Sequence, residues 1–109
     1  MSETIRKNLP LLRVLATPHL RTSTKKVILT EPGVINCISE CCHNILEGSV
    51  PLSPSKKQAL SKYKNQVRLL ALKSVPHYRK RDVIQTGGAA FLPLLLGPAL
   101  GLLTQFLNG

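Results

Sequence analysis

A run of apolar residues at helical intervals, between Val34 and Leu46, is the feature that most constrains the fold of this chain. Val34, Ile38, Cys41 and Ile45 recur every three or four positions, and this spacing places side chains on one face of an α-helix. Three neighbours widen that apolar face: Ile35, Cys42 and Leu46. A face this wide has to be covered on several sides, so we predict that the helix forms the centre of a small core.

Proline and glycine divide the rest of the chain into short segments. We predict further helices from an Asn8 cap to Ala16, from Pro18 to about Leu29, from a Ser53 cap to about Lys73, and between His77 and Gln85. No segment alternates apolar and polar residues for long enough to predict a strand. The predicted fold class is therefore all-α, a small bundle of about four helices with a hydrophobic C-terminal tail that proline and glycine interrupt. A hinge at Gly87-Gly88 would separate a basic helical domain, residues 1–86, from the tail, residues 87–109.

The charge of the chain is strongly positive and unevenly distributed. Lys and Arg number 15 against five Asp and Glu, a formal net charge of +10. Residues 48–88 hold nine of these basic side chains and one acidic one, a balance of +8, and this is the composition of a segment that contacts a polyanion. The predicted nucleic-acid-binding residues are Lys56, Lys57, Lys62, Lys64, Arg68, Lys73, Arg79, Lys80 and Arg81.

Two other interpretations of this basic segment stay open. It could be an ordinary solvated helix face, which is how most charged runs are used. However, it lacks acidic partners at the i+4 position, so its charges repel one another unless a polyanion neutralises them. The same charges could instead dock the chain on an anionic membrane.

The tail is compatible with three environments. Phe91 to Leu107 would span about 25 Å as a helix, slightly less than the ~30 Å hydrocarbon core of a bilayer. Lipid contact, internal packing on the helical domain, and packing against a partner or another copy are the three alternatives. The side chains predicted for a membrane-active tail are Phe91, Leu92, Leu94, Leu95, Leu96, Leu100, Leu102, Leu103, Phe106 and Leu107.

The sequence offers no pattern for catalysis, a metal or a cofactor. Cys37, Cys41 and Cys42 form one odd-numbered cluster, which favours core thiols in a reducing compartment over disulfides or a metal site. His43 would point about 200° away from Cys41 around the helix, too far to share a metal with it. The acidic and histidine residues form no arrangement of base and nucleophile. We therefore predict a non-enzymatic protein that holds no metal and no cofactor.

Three stretches resemble the protein X family of Polinton/Maverick elements and adintoviruses, which is similar to the adenovirus core protein X precursor. They are Cys41 to Ser53, Lys62-Tyr63-Lys64, and Gly87 to Pro93. The resemblance covers roughly residues 35–100, and this chain inserts Ala89-Ala90 where the family usually has Gly-Gly-Phe.

The resemblance implies a virion core or minor capsid protein that condenses double-stranded DNA without sequence specificity. The implied partners are double-stranded DNA, a capsid protein, membrane lipid and a viral cysteine protease. The protease would cleave at Gly87 and Gly88, within Gln85-Thr86-Gly87-Gly88. The implied location is the virion core and the host nucleus, and without the resemblance the expectation is only an intracellular protein.

Overall fold

A computed structural model describes residues 3–87 and 91–98, and every regular element in these two ranges is a helix. The all-α prediction is confirmed. The seven helices are α1 (Glu3–Leu15), α2 (Thr22–Ile28), α3 (Pro32–Leu46), α4 (Pro54–Ser61), α5 (Lys64–Ala71), α6 (His77–Thr86) and α7 (91–98). They surround one core, and α3 contacts α1, α5 and α6.

Helix α3 has the central place that its apolar pattern predicts. Its buried side chains are Val34, Ile35, Cys37, Ile38, Cys41 and Cys42. The helix ends in a Schellman motif, in which Gly48 N–H donates to Ile45 O at 3.1 Å and Ser49 N–H donates to Asn44 O at 2.9 Å. Gly48 has the left-handed φ of 79° that this ending requires.

Gly48→Ala should lower the free energy of unfolding by about 1 kcal/mol, because a Cβ is unfavourable in the left-handed region. Nothing lies within 4 Å of the position that this Cβ would occupy, so the cost is conformational and not steric. Gly48→Asn is the matched control and should cost less, since asparagine tolerates this region. Denaturant unfolding measures both variants, and an alanine variant as stable as the wild type would contradict the capping role.

The described residues form seven helices, so the predicted bundle of about four helices is wrong in number. The helix predicted from Ser53 to Lys73 is divided in two, because Tyr63 leaves the helical region with φ −107° and ψ 19°. The Tyr63 ring packs instead against Phe91, with 5.0 Å between ring centroids. Ser53 caps α4 as predicted, and its Oγ accepts a hydrogen bond from Lys56 N–H.

Helix α1 begins earlier than its proline suggests. It starts at Glu3 and contains Pro10, and Asn8 is not its cap but donates from Nδ2 to Thr4 O at 2.8 Å within the helix. The early start buries Ile5 in the core. This burial offsets the backbone hydrogen bond that Pro10 cannot donate on the exposed side of the helix.

The structure places the first part of the predicted tail inside the core. Phe91, Leu92, Leu95 and Leu96 are at most 1% exposed, and Leu94 packs against the same cluster. Of the three alternatives for the tail, internal packing is therefore the one that these residues follow. The boundary predicted between residues 86 and 87 lies within one core, because buried side chains of the same cluster occur on both sides of it.

Leu100, Leu102, Leu103, Phe106 and Leu107 lie outside the described residues, as does Gly88. Within the ranges 3–87 and 91–98, no helix has both the length and the hydropathy that crossing a bilayer requires.

Candidate nucleic-acid interface

Most of the basic side chains predicted to bind nucleic acid lie on the surface. Seven of the nine are exposed, namely Lys56, Lys57, Lys62, Lys64, Arg68, Lys73 and Arg79. Arg81 is half-buried. These eight residues are called the basic surface set below. They extend from the first turn of α4 to the second turn of α6, so one continuous segment of the chain presents all of them.

Helix α5 shows why this segment folds with its charges outward. Val67 and Leu70 are buried on one side of the helix, where α5 packs against α3. Lys64 and Arg68 are one helical turn apart and exposed. Because the apolar side of α5 packs against α3, the two cations point towards solvent and need no contact of their own to do so.

No acidic side chain occurs between residues 48 and 81 to neutralise the basic surface set. In the described part of the chain, His43 Nε2 lies 3.1 Å from Glu47 Oε1, a contact between the last turn of α3 and the residue that caps it. The basic surface set is thus rich in exposed like charges, and a polyanion would relieve the repulsion among its members.

Lys80 is the exception among the nine predicted residues. Successive helical residues point about 100° apart, so Arg79, Lys80 and Arg81 cannot all face one surface. Lys80 points inward and is only 4% exposed, and its Nζ donates a hydrogen bond to Ser39 Oγ at 2.9 Å. Burial lowers the pKa of this ammonium group. Lys80 therefore does not lie on the outer surface with the other eight residues, and its predicted contact with nucleic acid stays a prediction.

A polar cleft of about 560 Å³ lies beside Lys80, between α3, the α5–α6 connection and α6. Its lining residues are Asn36, Ser39, Glu40, His43, Ala71, Lys73, Val75, His77 and Lys80. His77 Nε2–H donates to Asn36 Oδ1 at 2.9 Å across the cleft. Sequence analysis missed this site because it followed only the apolar face of α3. The signal was nonetheless present: Asn36, Ser39, Glu40 and His43 recur at helical spacing and form the polar stripe of the same helix.

A second groove, of about 620 Å³, is mostly apolar. It is lined by Pro18, His19, Ala59, Lys62, Tyr63, Pro93 and Leu94. His19 has a left-handed φ of 62° in the turn between α1 and α2. Lys62 is the one member of the basic surface set that borders this groove.

The three cysteines are buried, free thiols. Cys37 Sγ–H donates to Thr4 O at 3.2 Å, so this thiol also connects α3 to α1. Burial raises the pKa of Cys37 to about 11 and that of Cys41 to about 12, and it raises the pKa of Cys42 as well. In the described part of the chain, no three His, Cys, Asp or Glu side chains come together as a metal site would require.

These thiol pKa values predict a loss of stability in alkali. The folded protein holds the thiol protons more tightly than the unfolded chain, so this stabilisation is complete below pH 9 and disappears as the pH rises towards about 12. Lys80 acts in the opposite direction because its pKa is lowered. Comparison with Cys41→Ala isolates the thiol contribution: its free energy of unfolding should fall less between pH 9 and pH 11 than that of the wild type. Equal losses would contradict the buried-thiol assignment.

The predicted cleavage site lies at the connection between α6 and α7. Gly87 is half-buried there and caps α6 in the helical region of the backbone, with φ −71° and ψ −8°. A Cβ at this position would approach the Phe91 ring to 3.0 Å, so glycine allows α7 to pack close to the end of α6. Cleavage at Gly87 and Gly88 stays a prediction.

Comparisons of the chain with protein-family models, with curated proteins and with solved structures find no match. The resemblance to the protein X family therefore stays a prediction that depends on the three stretches named above.

Proposed function

We propose that this protein is a non-enzymatic DNA-binding protein that contacts the phosphates of double-stranded DNA without reading its sequence. The observation that carries the proposal is the basic surface set, eight cations presented by one segment that has no acidic residue between positions 48 and 81. Duplex DNA carries one charge per about 1.7 Å along its axis, so a charged segment of this kind can neutralise several phosphates at once.

The chemistry of the basic surface set favours phosphate contact over base recognition. Of its eight members, five are lysines, which approach phosphates as flexible point charges, and three are arginines. The set follows three short helices and their connections instead of lying along a single recognition helix. Such contacts fix a protein on the duplex but carry no sequence information.

We further propose, on the resemblance to the protein X family, that the protein condenses viral-type DNA in a virion core. Neutralising the phosphates of neighbouring duplex segments lowers their mutual repulsion, which is the first requirement for condensation. A capsid protein and a viral cysteine protease are the protein partners that this proposal includes. The membrane-active alternative has less support, because four of the ten tail residues it needs are buried in the core.

Competition between unrelated duplexes tests this proposal. Two duplexes of equal length and different base composition should compete for the protein with affinities that agree within about threefold, since the phosphate backbone is the same in both. Fluorescence anisotropy of one labelled duplex, titrated with either unlabelled competitor, measures this ratio. Preference for one sequence by more than about 10³-fold, the range of specific binders, would contradict the proposal.

A further inference from the structure

Lys80 is a buried cation whose position the DNA-binding proposal does not explain. Its side chain is 4% exposed, and removing an ammonium group from water is unfavourable unless something compensates its charge. Its neighbour Cys42 would offer a negative charge only as a thiolate, and burial raises the pKa of that thiol so far that it stays neutral at physiological pH. A methionine or leucine at this position would fill the same space without this cost.

The hydrogen bonds of the Lys80 ammonium leave part of its donor capacity unused. A lysine ammonium carries three N–H donors, and in the described residues Nζ makes one hydrogen bond, to Ser39 Oγ at 2.9 Å. Ser39 is held in place because its own Oγ–H donates to Ile35 O at 3.0 Å. Two N–H donors of Lys80 therefore remain at the border of the polar cleft, which has room for a partner.

The walls of the cleft add further donors and positive charge. Lys73 and His77 line it together with Lys80, and α6, a helix of ten residues, begins there at His77. The partial positive charge of a helix N-terminus adds to that of the two lysines. Glu40 lies on the α3 wall and has a contact of its own, so the cleft holds two lysines for its one carboxylate.

We propose that this cleft is a binding site for a phosphate-type oxyanion, with Lys80 Nζ as its central donor and Lys73 as the donor at its rim. An oxyanion with several terminal oxygens can accept from both lysines at the same time. The cleft of about 560 Å³ is larger than inorganic phosphate needs, so it also accommodates a group that carries the phosphate. That group is either a small phosphate ester or a nucleic-acid backbone. This inference does not depend on the proposed DNA-binding function.

Thermal unfolding with inorganic phosphate, at an ionic strength kept constant with sodium chloride, tests the site. The melting temperature of the wild type should rise with the logarithm of phosphate concentration, by roughly 4 °C or more at about ten times Kd, because the anion binds only the folded protein. Lys80→Met keeps the apolar stem and removes the charge, so its melting temperature should not respond to phosphate. Lys26→Met removes an exposed cation of α2, away from the cleft, and should respond as the wild type does.

A second variant keeps the test decisive if Lys80→Met does not fold. Lys73 is exposed, so Lys73→Met should fold normally and should weaken phosphate binding by several-fold, as measured by titration calorimetry. A wild-type protein whose melting temperature ignores phosphate, or a Lys73→Met variant with unchanged phosphate affinity, would overturn the proposal.

The source of the phosphate group is distinguished by competition in the wild-type protein. An unlabelled duplex that displaces phosphate from the cleft, seen as loss of the calorimetric signal, would identify the nucleic-acid backbone as the ligand. A nucleoside monophosphate that displaces it while the duplex does not would identify a small phosphate ester. Failure of both to displace phosphate would contradict a site for phosphate esters.

Discussion

A chain that ends at Gly87 should no longer fold cooperatively. It would lack Phe91, Leu92, Leu95 and Leu96, which are all at most 1% exposed in the core. Losing one large buried apolar side chain costs about 2–5 kcal/mol, and the total stability of a small domain is about 5–15 kcal/mol. The loss of all four side chains together should therefore exceed the free energy of unfolding of the protein. Far-ultraviolet circular dichroism should show lower helix content and no sharp melting transition.

Point substitutions test the same claim without shortening the chain. Leu95→Ala should lower the free energy of unfolding by about 2–5 kcal/mol, whereas Leu72→Ala should change it by about 0.5 kcal/mol or less. The chemistry of the two changes is identical, and the difference lies in burial, since Leu95 is 0% exposed and Leu72 is 53% exposed. A truncated chain that melts like the full-length protein would show that residues 91–98 are a free tail after all.

Charge reversal on α4 and α5 should have the largest effect on DNA binding. Lys57→Glu, Lys64→Glu and Arg68→Glu together should weaken duplex binding by roughly 10²-fold or more at about 0.1 M salt, because three phosphate contacts are lost and replaced by repulsion. All three side chains are exposed, so the variant should keep its fold.

The matched control for this variant carries the same three changes on α1, at Arg6, Lys7 and Arg13. These residues are also exposed, and each triple variant lowers the formal net charge from +10 to +4. Since the two proteins have the same net charge, a difference in affinity reports the position of the charge. Equal losses in both variants would mean that general attraction, and not the basic surface set, accounts for binding.

The elements that were predicted correctly are those whose signals are local in the sequence. The apolar period of α3 is complete within the helix itself, and its end is marked by Gly48. The Ser53 cap is likewise a signal within four residues, because its oxygen accepts from Lys56 N–H. Each of these could be recognised without knowing what packs against it.

The tail could not be assigned in this way, because leucine-rich residues suit lipid and protein interior equally well. Residues 91–98 pack inside the protein because they have tertiary partners there. One of these is Tyr63, whose ring centroid lies 5.0 Å from that of Phe91. The same contact accompanies the break between α4 and α5. Neither the break nor the packing has a local signal, so sequence reasoning gave one long helix and a separate tail.

The basic residues 79–81 show that sequence composition does not reveal which side chains of a helix face the core. Composition predicted the charge of residues 79–81 but treated all three as surface residues, and only the position of α6 against α3 decides which of them points inward. A helical wheel shows that they must diverge. The polar stripe of α3 was also readable, and considering it together with the apolar face would have marked the cleft next to Lys80.

A salt titration of duplex binding tests the central claim most directly. With eight cations in the basic surface set, the slope of log K against log salt concentration has an upper limit of about −7, at roughly −0.9 per phosphate contact. We expect a slope of several units for the wild type, about three units less for the Lys57, Lys64 and Arg68 variant, and a slope close to the wild-type one for the α1 control. An affinity that does not change with salt, or one equal slope for all three proteins, would contradict the account.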